Sequence, residues 1–545
     1  MKVLVLGGYG VFGGRLARLL LEDGVEVVVA GRSETKARAF CDEFGGAALA
    51  LDKNDRDAVS AALRGTDVLV DAIGPFQGYD GYPLAEAAIA AGCHYLDLSD
   101  DAGFTAGISA LDASAKAEGV AVLSGVSSVP ALSSAAVEAL KTDLSEITLI
   151  DTAILPGNRA PRGWSVMEAI LSQVGRPLAQ WRGGAWVDTP AWGGVARRAL
   201  PKGLRRSASP IGAPDLVLFP ATYQARSVLF RAGLELGVMH HGLRVFGWLH
   251  RKGLLPRLDK LTWPMLQAAR MLSPFGSDQG GMSVVVAGRA AEGAAQTRGW
   301  RLHMDEGQGP FVPAVPALLM VRWFTQGRAT PGAGPALGCF DLAEAEEVLS
   351  GISGSFDKDA PDMTPLFEKA IGREAWSAMP DSYRTGHDLW DRHVMRGTSK
   401  VTRGKGALAR FIAALFRFPP ERDDTPLTVT MERIGETEKW TRNFDGQRFF
   451  SVLSYAGPGR VRERFGPFEF ELDLPVNDGR MEMNVMRGWV MGLPMPAWAL
   501  PKSETAEFDQ NGVFRFDVKI SAPVTGMIVH YQGQLRREDL IPPPA

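Results

Sequence analysis

MKVLVLGGYGVFGGRLARLLLEDGVEVVVAGRS, residues 1–33, decides the reading of this chain. An apolar run from Val3 to Leu6 feeds into Gly7, Gly8, Gly10, Gly13 and Gly14. A helical stripe of Leu16, Leu19 and Leu20 follows, then a second apolar run from Val25 to Ala30. Strand, glycine turn, helix and strand in this order suit a dinucleotide pyrophosphate. Glycines let the backbone turn tightly and approach the phosphates, whose charge then sits at the helix N-terminus. The spacing fits GxGxxG from Gly8 and GxxGxxG from Gly7; Gly7 directly follows the strand, which favours the second register. Gly7, Gly8, Tyr9, Gly10, Val11, Phe12 and Gly13 are the expected cofactor contacts of this turn.

The end of the second strand distinguishes the cofactors. Chains selecting NAD usually place Asp or Glu there, accepting hydrogen bonds from the ribose hydroxyls. Here stand Gly31, Arg32 and Ser33, with Lys36 one turn on. A guanidinium and an ammonium suit the 2′-phosphate of NADP, so NADP is expected rather than NAD. Ser33 can donate to that phosphate or cap the next helix.

At 545 residues, two or three domains are expected. Lys plus Arg number 59 against 62 Asp plus Glu, and a net charge of −3 gives no case for nucleic-acid binding. The hydrophobic share of 46% is that of a globular protein with a real core. Cys41, Cys93 and Cys339 are widely separated, with neither metal-ligand spacing nor the pattern of a secreted disulfide framework. The first residues read as a core strand rather than a signal peptide, and no stretch approaches the roughly 20 apolar residues of a spanning helix. Cytoplasm is the expected address.

The α/β rhythm continues. Ala47 to Asp52 reads as a third strand, Ala58 to Leu63 as a short helix, and Asp67 to Gly74 as a fourth, doubly buried strand. A helix from Pro83 to Ala91, the strand HYLDLS, a helix from Phe104 to Ala117 and the strand VAVLSG complete a doubly wound parallel sheet. GGYGVFGG, AGRS with Lys36, and DAIGPFQGYDGYPLAEAAIAAGCHYLDLSDD together resemble the saccharopine dehydrogenase-like NADP-binding oxidoreductase family. Gly74-Pro75-Phe76 matches that family's GPF turn, and His94-Tyr95-Leu96-Asp97-Leu98 its following strand. Gly125 to Ser134 is similar to the loop leaving its nucleotide domain.

The resemblance implies a Rossmann-like α/β domain over 1–145 and an α+β second domain over 146–350, for substrate and dimerisation. It also implies a cleft between them. A polar Gly/Ser/Asp-rich run suggests a linker at 351–363. Residues 364–545 form a separate α+β region, helical at first and then mostly antiparallel β. There Leu427, Val429 and Met431 alternate with polar residues, as do Phe468, Phe470 and Leu472, and Phe514, Phe516 and Val518. Asn477-Asp478-Gly479 and Gln510-Asn511-Gly512 carry hairpin residues. WTRNFDGQRFFS, GLPMPAWALP and PVTGMIVHYQGQL resemble an uncharacterised domain family found fused to such NADP-binding modules.

Ala72, Ile73, Gly74 and Pro75 are expected to line the ribose and nicotinamide, with Phe76 covering the ring. Asp52 faces the adenine or caps the following helix. Tyr95, Asp97, Ser99 and Asp100 end the next strand and read chiefly as architectural or cofactor-supporting. GHDLWDRHV places His387, Asp388, Asp391 and His393 close in sequence, but this reads as a solvated polar face rather than a metal site. Val238 to Leu255 and KGALARFIAALFRF each read either as a lipid-surface helix or as packing on their own domain. The expected function is NADP-dependent hydride transfer to or from a carbonyl- or imine-type small molecule, with no catalytic residue singled out. The alternative is a non-catalytic NADP(H)-binding protein whose C-terminal domain meets a lipid or partner. No nucleic acid and no metal are expected; membrane contact and a homodimer stay open.

Overall fold

The computed structural model describes residues 1–161, 164–255 and 257–538. Its first region has β1 (Lys2–Leu6), α1 (Gly13–Glu22), β2 (Glu26–Gly31), α2 (Glu34–Phe44), β3 (Ala47–Ala50), β4 (Val68–Asp71), β5 (His94–Asp97) and β6 (Ala121–Ser124). They form a parallel sheet in the order β6-β5-β4-β1-β2-β3. Val3 and Val5 point into one core with Leu16 and Leu20, while Leu4 and Leu6 point into the other with Leu69 and Val122. Apolar layers on both faces explain why these strands read as continuous apolar runs. The topology reverses between β1 and β4, which opens a crevice beyond their C-terminal ends.

A seventh strand comes from far along the chain. Gly332–Pro335 pairs parallel to β6, Gly332 opposite Ala121 and Pro335 opposite Ser124. The stretch 146–350 therefore builds its own sheet and then returns to complete the first one. The returning segment covers an edge that would otherwise present unpaired N–H and C=O groups. The second sheet has seven strands and is mixed: Leu144–Leu155 pairs parallel with Ser227–Leu234 and antiparallel with Gly280–Ala290. Both sheets share one core, in which Val5 and Val137 join Val284, Trp300 and Leu318. Gly354–Asp357, inside the expected linker, is the edge strand of the second sheet against Ala295–Met304.

The C-terminal region closes on itself. Of the twelve strands described between Arg392–Arg403 and Gly526–Arg537, ten form an antiparallel ring, shut where Phe468–Asp473 pairs with Arg480–Val490. Alternation puts Leu427, Val429, Phe516 and Leu472 inside. Asp478 and Gly479, like Asn511 and Gly512, have positive φ, the geometry of a two-residue type I′ hairpin.

His387, Asp388, Asp391 and His393 are neither a solvated face nor a metal cluster; no group that could hold a metal ion occurs among the described residues. The helix Asp381–His387 ends at the first of them. His387 is buried with Nε2 2.7 Å from Glu507, and His393 is buried beside the Met431 sulfur. Asp388 pairs with Arg289 and Asp391 with Arg182, partners remote in sequence. Each of the two amphipathic segments packs one face on its own domain and exposes the other. Gly237–Arg251 buries His240, Leu243 and Gly247 but exposes Val238, Val245 and Trp248. Ala407–Leu415 buries Ala409 and Ala413 but exposes Leu408, Phe411 and Leu415. No helix among the described residues is long and apolar enough to cross a membrane.

Candidate functional site

The glycine turn joins β1 to α1 at the crevice. Gly7 has φ +86°, and its N–H donates to Ala30 O at 2.8 Å, tying the turn to β2. A Cβ on Gly7 would lie 2.9 Å from Ala72 O, and one on Gly13 only 2.4 Å from Gly7 O. Glycine is therefore what lets α1 approach β1 and β4 this closely. Gly8 and Gly13 are buried, whereas Gly10, Val11 and Phe12 are exposed at the mouth. No side chain caps α1, whose Gly14 N–H donates instead to Gly10 O at 3.0 Å; the partial positive charge of the helix N-terminus suits an anion.

Tyr9 has a role that spacing did not reveal. Its hydroxyl accepts from the Ser33 N–H at 3.0 Å, and its ring lies against Gly31, where a Cβ would come within 2.5 Å of the hydroxyl oxygen. The glycine turn and the end of β2 are thereby fixed together. Ser33 caps α2, accepting from the Lys36 N–H at 3.4 Å. Arg32 and Lys36 are exposed, and neither side chain pairs with a carboxylate among the described residues. Asp52 accepts from the Asn54 N–H in a local turn, while Asp55 caps the helix Arg56–Leu63. The capping alternative for Asp52 thus passes to its neighbour.

Beyond β4 the chain passes Ala72, Ile73 and Gly74, all half-buried, to an exposed Pro75, with Gly74 at φ +44°. Buried Asp71 organises this turn: it accepts from the Ile73 N–H at 3.0 Å and from the Tyr79 hydroxyl at 2.7 Å. Burial raises the Asp71 pKa, and those two bonds oppose it. Phe76 is buried with ring centroids 5.3 Å from Tyr79 and 5.2 Å from Phe104, so it supports the turn from below rather than covering the crevice. Lys53 stands over the Tyr79 ring, Nζ 3.4 Å from the centroid. Burial lowers its pKa, with Asp71 and Asp52 pulling it back up. Neither Lys53 nor Tyr79 was singled out from sequence, although one follows Asp52 directly and the other lies within the GPFQGY run.

Asp97, level with Asp71 across the β4–β5 ladder, ties β5 to the turn after β6. Its Oδ1 accepts from the Ser99 N–H, the Ser124 hydroxyl and the Gly125 N–H at 2.8–3.0 Å. Burial nonetheless pushes its pKa up to about 7. Tyr95 is buried beside it. In the second region His240 is buried with Nε2 2.9 Å from the Ser209 hydroxyl, and burial takes its pKa down to about 4.

Residues 3–123 match the family described as the saccharopine dehydrogenase NADP binding domain. The nucleotide module is thus of the saccharopine dehydrogenase type. Residues 379–535, most of the barrel, match a domain of unknown function, DUF4166. No curated protein matches the chain. Among solved structures it is similar to apo saccharopine dehydrogenase (L-Glu forming) from Saccharomyces cerevisiae, at 16% identity and a TM-score of 0.49. That match covers 66% of this chain and 100% of the yeast one. It is also similar to the triphenylmethane reductase of Citrobacter sp. complexed with NADP(H), at 22% identity and a TM-score of 0.17, over 18% of this chain and 38% of that one. A metagenomic short-chain oxidoreductase in complex with NADP matches at 24% identity and a TM-score of 0.19, over 23% and 80% of the two chains.

Proposed function

We propose that this protein is an NADP-dependent oxidoreductase acting on a carbonyl- or imine-type carbon of a small molecule. The observation that carries the reading is a pair of exposed cations, Arg32 just after β2 and Lys36 in the first turn of α2, with no carboxylate partner among the described residues, beside a glycine turn closed against Ala72. The glycine turn and the positive N-terminal end of α1 suit the pyrophosphate, and Arg32 with Lys36 suits the 2′-phosphate. Ala72 to Pro75 would flank the ribose and nicotinamide, held by the Asp71 carboxylate. Hydride exchange itself is chemistry that the bound nicotinamide supplies. The protein's own part is to orient the two reactants and exclude water, and a homodimer accords with the exposed apolar helix Gly237–Arg251.

A second reading, a protein that holds NADP(H) without turnover, draws on the crevice polar groups. Asp97 Oδ1, the Asp71 carboxylate and the Tyr79 hydroxyl are engaged in holding backbone, Ser124 or one another. Titration of the full chain with NADPH and NADH, followed by tryptophan quenching, tests the cofactor assignment. NADPH binding at least tenfold tighter than NADH is expected, and equal affinities would overturn the roles of Arg32 and Lys36. NADPH oxidation on adding carbonyl metabolites separates the enzyme from the silent binder.

A further inference from the structure

The closed barrel is not filled by its own side chains. It encloses a cavity of about 220 Å³, walled by Phe470, Phe516, Leu453, Val485 and Trp440. Apart from the Tyr531 hydroxyl, the polar groups along this wall are committed to partners. Arg442 pairs with Glu463 and donates to the Ser451 hydroxyl, Ser503 bonds Thr505, and Glu507 meets His387. A water needs two or more polar partners, and a single hydroxyl on an otherwise apolar wall favours hydrocarbon over water; an apolar cavity of ~150 Å³ already accepts benzene.

The two ends of the barrel differ. At one, Glu507 is closed over by His387, and Tyr383 reaches the Met481 sulfur, so the helices between Leu366 and His387 form a plug. Register fixes what lies at the other. Arg403 is opposite Val529, Lys502 opposite Ser521, Phe468 opposite Val490 and Leu427 opposite Phe444. The helix Ala407–Leu415, the 491–501 loop and the 522–526 turn therefore all stand round one mouth. Phe416 under that helix and Met495 in that loop reach the cavity. Around them Phe411, Leu415, Met491, Leu493, Trp498 and Val524 point outward, from 58% exposed at Leu415 to 83% at Met491. An apolar rim around an apolar cavity lets a hydrocarbon pass without entering water, provided the rim rests in a lipid surface.

We propose that the C-terminal barrel binds the hydrocarbon chain of a lipid, taken up from a membrane surface on which its apolar rim rests. The inference uses nothing of the NADP module and stands apart from the proposed oxidoreductase activity. The full chain is titrated with N-phenyl-1-naphthylamine, reading probe fluorescence and energy transfer from tryptophan. Saturable uptake of one probe per chain is expected. Val485→Trp, which fills the cavity, should weaken it at least tenfold, and Trp440→Phe should lower the transfer. Where Val485→Trp fails to fold, the transfer decides: an unchanged signal in Trp440→Phe places the probe elsewhere and overturns the site. Absence of saturable uptake by the natural chain overturns it as well. Co-sedimentation with phosphatidylcholine vesicles tests the rim, and Phe411→Ser with Trp498→Ser should reduce it at least fivefold with NADPH binding unchanged. Failure of the natural chain to sediment, or full sedimentation of the double variant, overturns the membrane step.

Discussion

Arg32 is exposed just after β2 with no carboxylate partner among the described residues, so its charge is available to a ligand. Arg32→Ala is expected to weaken NADPH at least tenfold, about 1.4 kcal/mol, and NADH less than twofold, both read by tryptophan quenching. Added salt should narrow the preference, because exposed charges are screened. Gly31 is constrained by a neighbour rather than by its own backbone. In Gly31→Ala the new methyl meets the Tyr9 ring, and overpacking of about 1–3 kcal/mol should appear as a lowered Tm. Asp97 carries a pH signature. Its folded pKa, about 7, lies above the ordinary carboxylate value, so the folded state retains a proton that the unfolded state releases. Its contribution is complete below about pH 4 and is lost as pH rises to about 7. Asp97→Asn keeps an Oδ1 acceptor for all three bonds. Its urea stability relative to the natural chain should rise by a few kcal/mol between pH 4 and 8; parallel curves would refute the assignment.

Elements differed in how openly the sequence announced them. β1, α1 and β2 were legible because apolar periodicity and glycine spacing are local properties, and the hairpins at Asp478-Gly479 and Asn511-Gly512 because type I′ turns demand those residues. Gly332–Pro335, reading GAGP, has no β-forming side chain; only its partner β6 makes it a strand. The burial of His387 and the pairing of Asp388 and Asp391 were hidden for a related reason. The groups that decide them, such as Glu507, Arg289 and Arg182, lie far away in sequence. Barrel closure also escaped, since period two tells which face is dry but not which strands meet. The returning strand is anchored by Asp112, which accepts from the Ala333 N–H at 3.0 Å. Losing that bond in Asp112→Ala should cost about 1 kcal/mol, seen as roughly fivefold faster amide hydrogen exchange over 332–336 with β1 unchanged.

Across the whole molecule, the C-terminal region is joined through charge to the second sheet by Arg289 and to the hairpin Pro177–Pro190 by Arg182. Arg289 reaches Glu368 at 2.9 Å and Asp388 at 2.6 Å, and Arg182 grips Asp391 at 2.7 Å, all with little exposure. Arg289→Met leaves two carboxylates without their cation, and breaking such a buried set costs about 3–5 kcal/mol. Faster proteolysis within 351–363 is expected, with NADPH affinity preserved because the crevice lies in the first sheet. The order of the strands also has a consequence on the ribosome. β6 ends at Ser124, yet its neighbour is not complete until Pro335. At about 5–20 residues per second, the nascent nucleotide module waits on the order of 10–40 seconds with that flank bare. A chaperone able to shield a strand edge has its natural window here, and a stalled or truncated message would release a product with that edge open to aggregation.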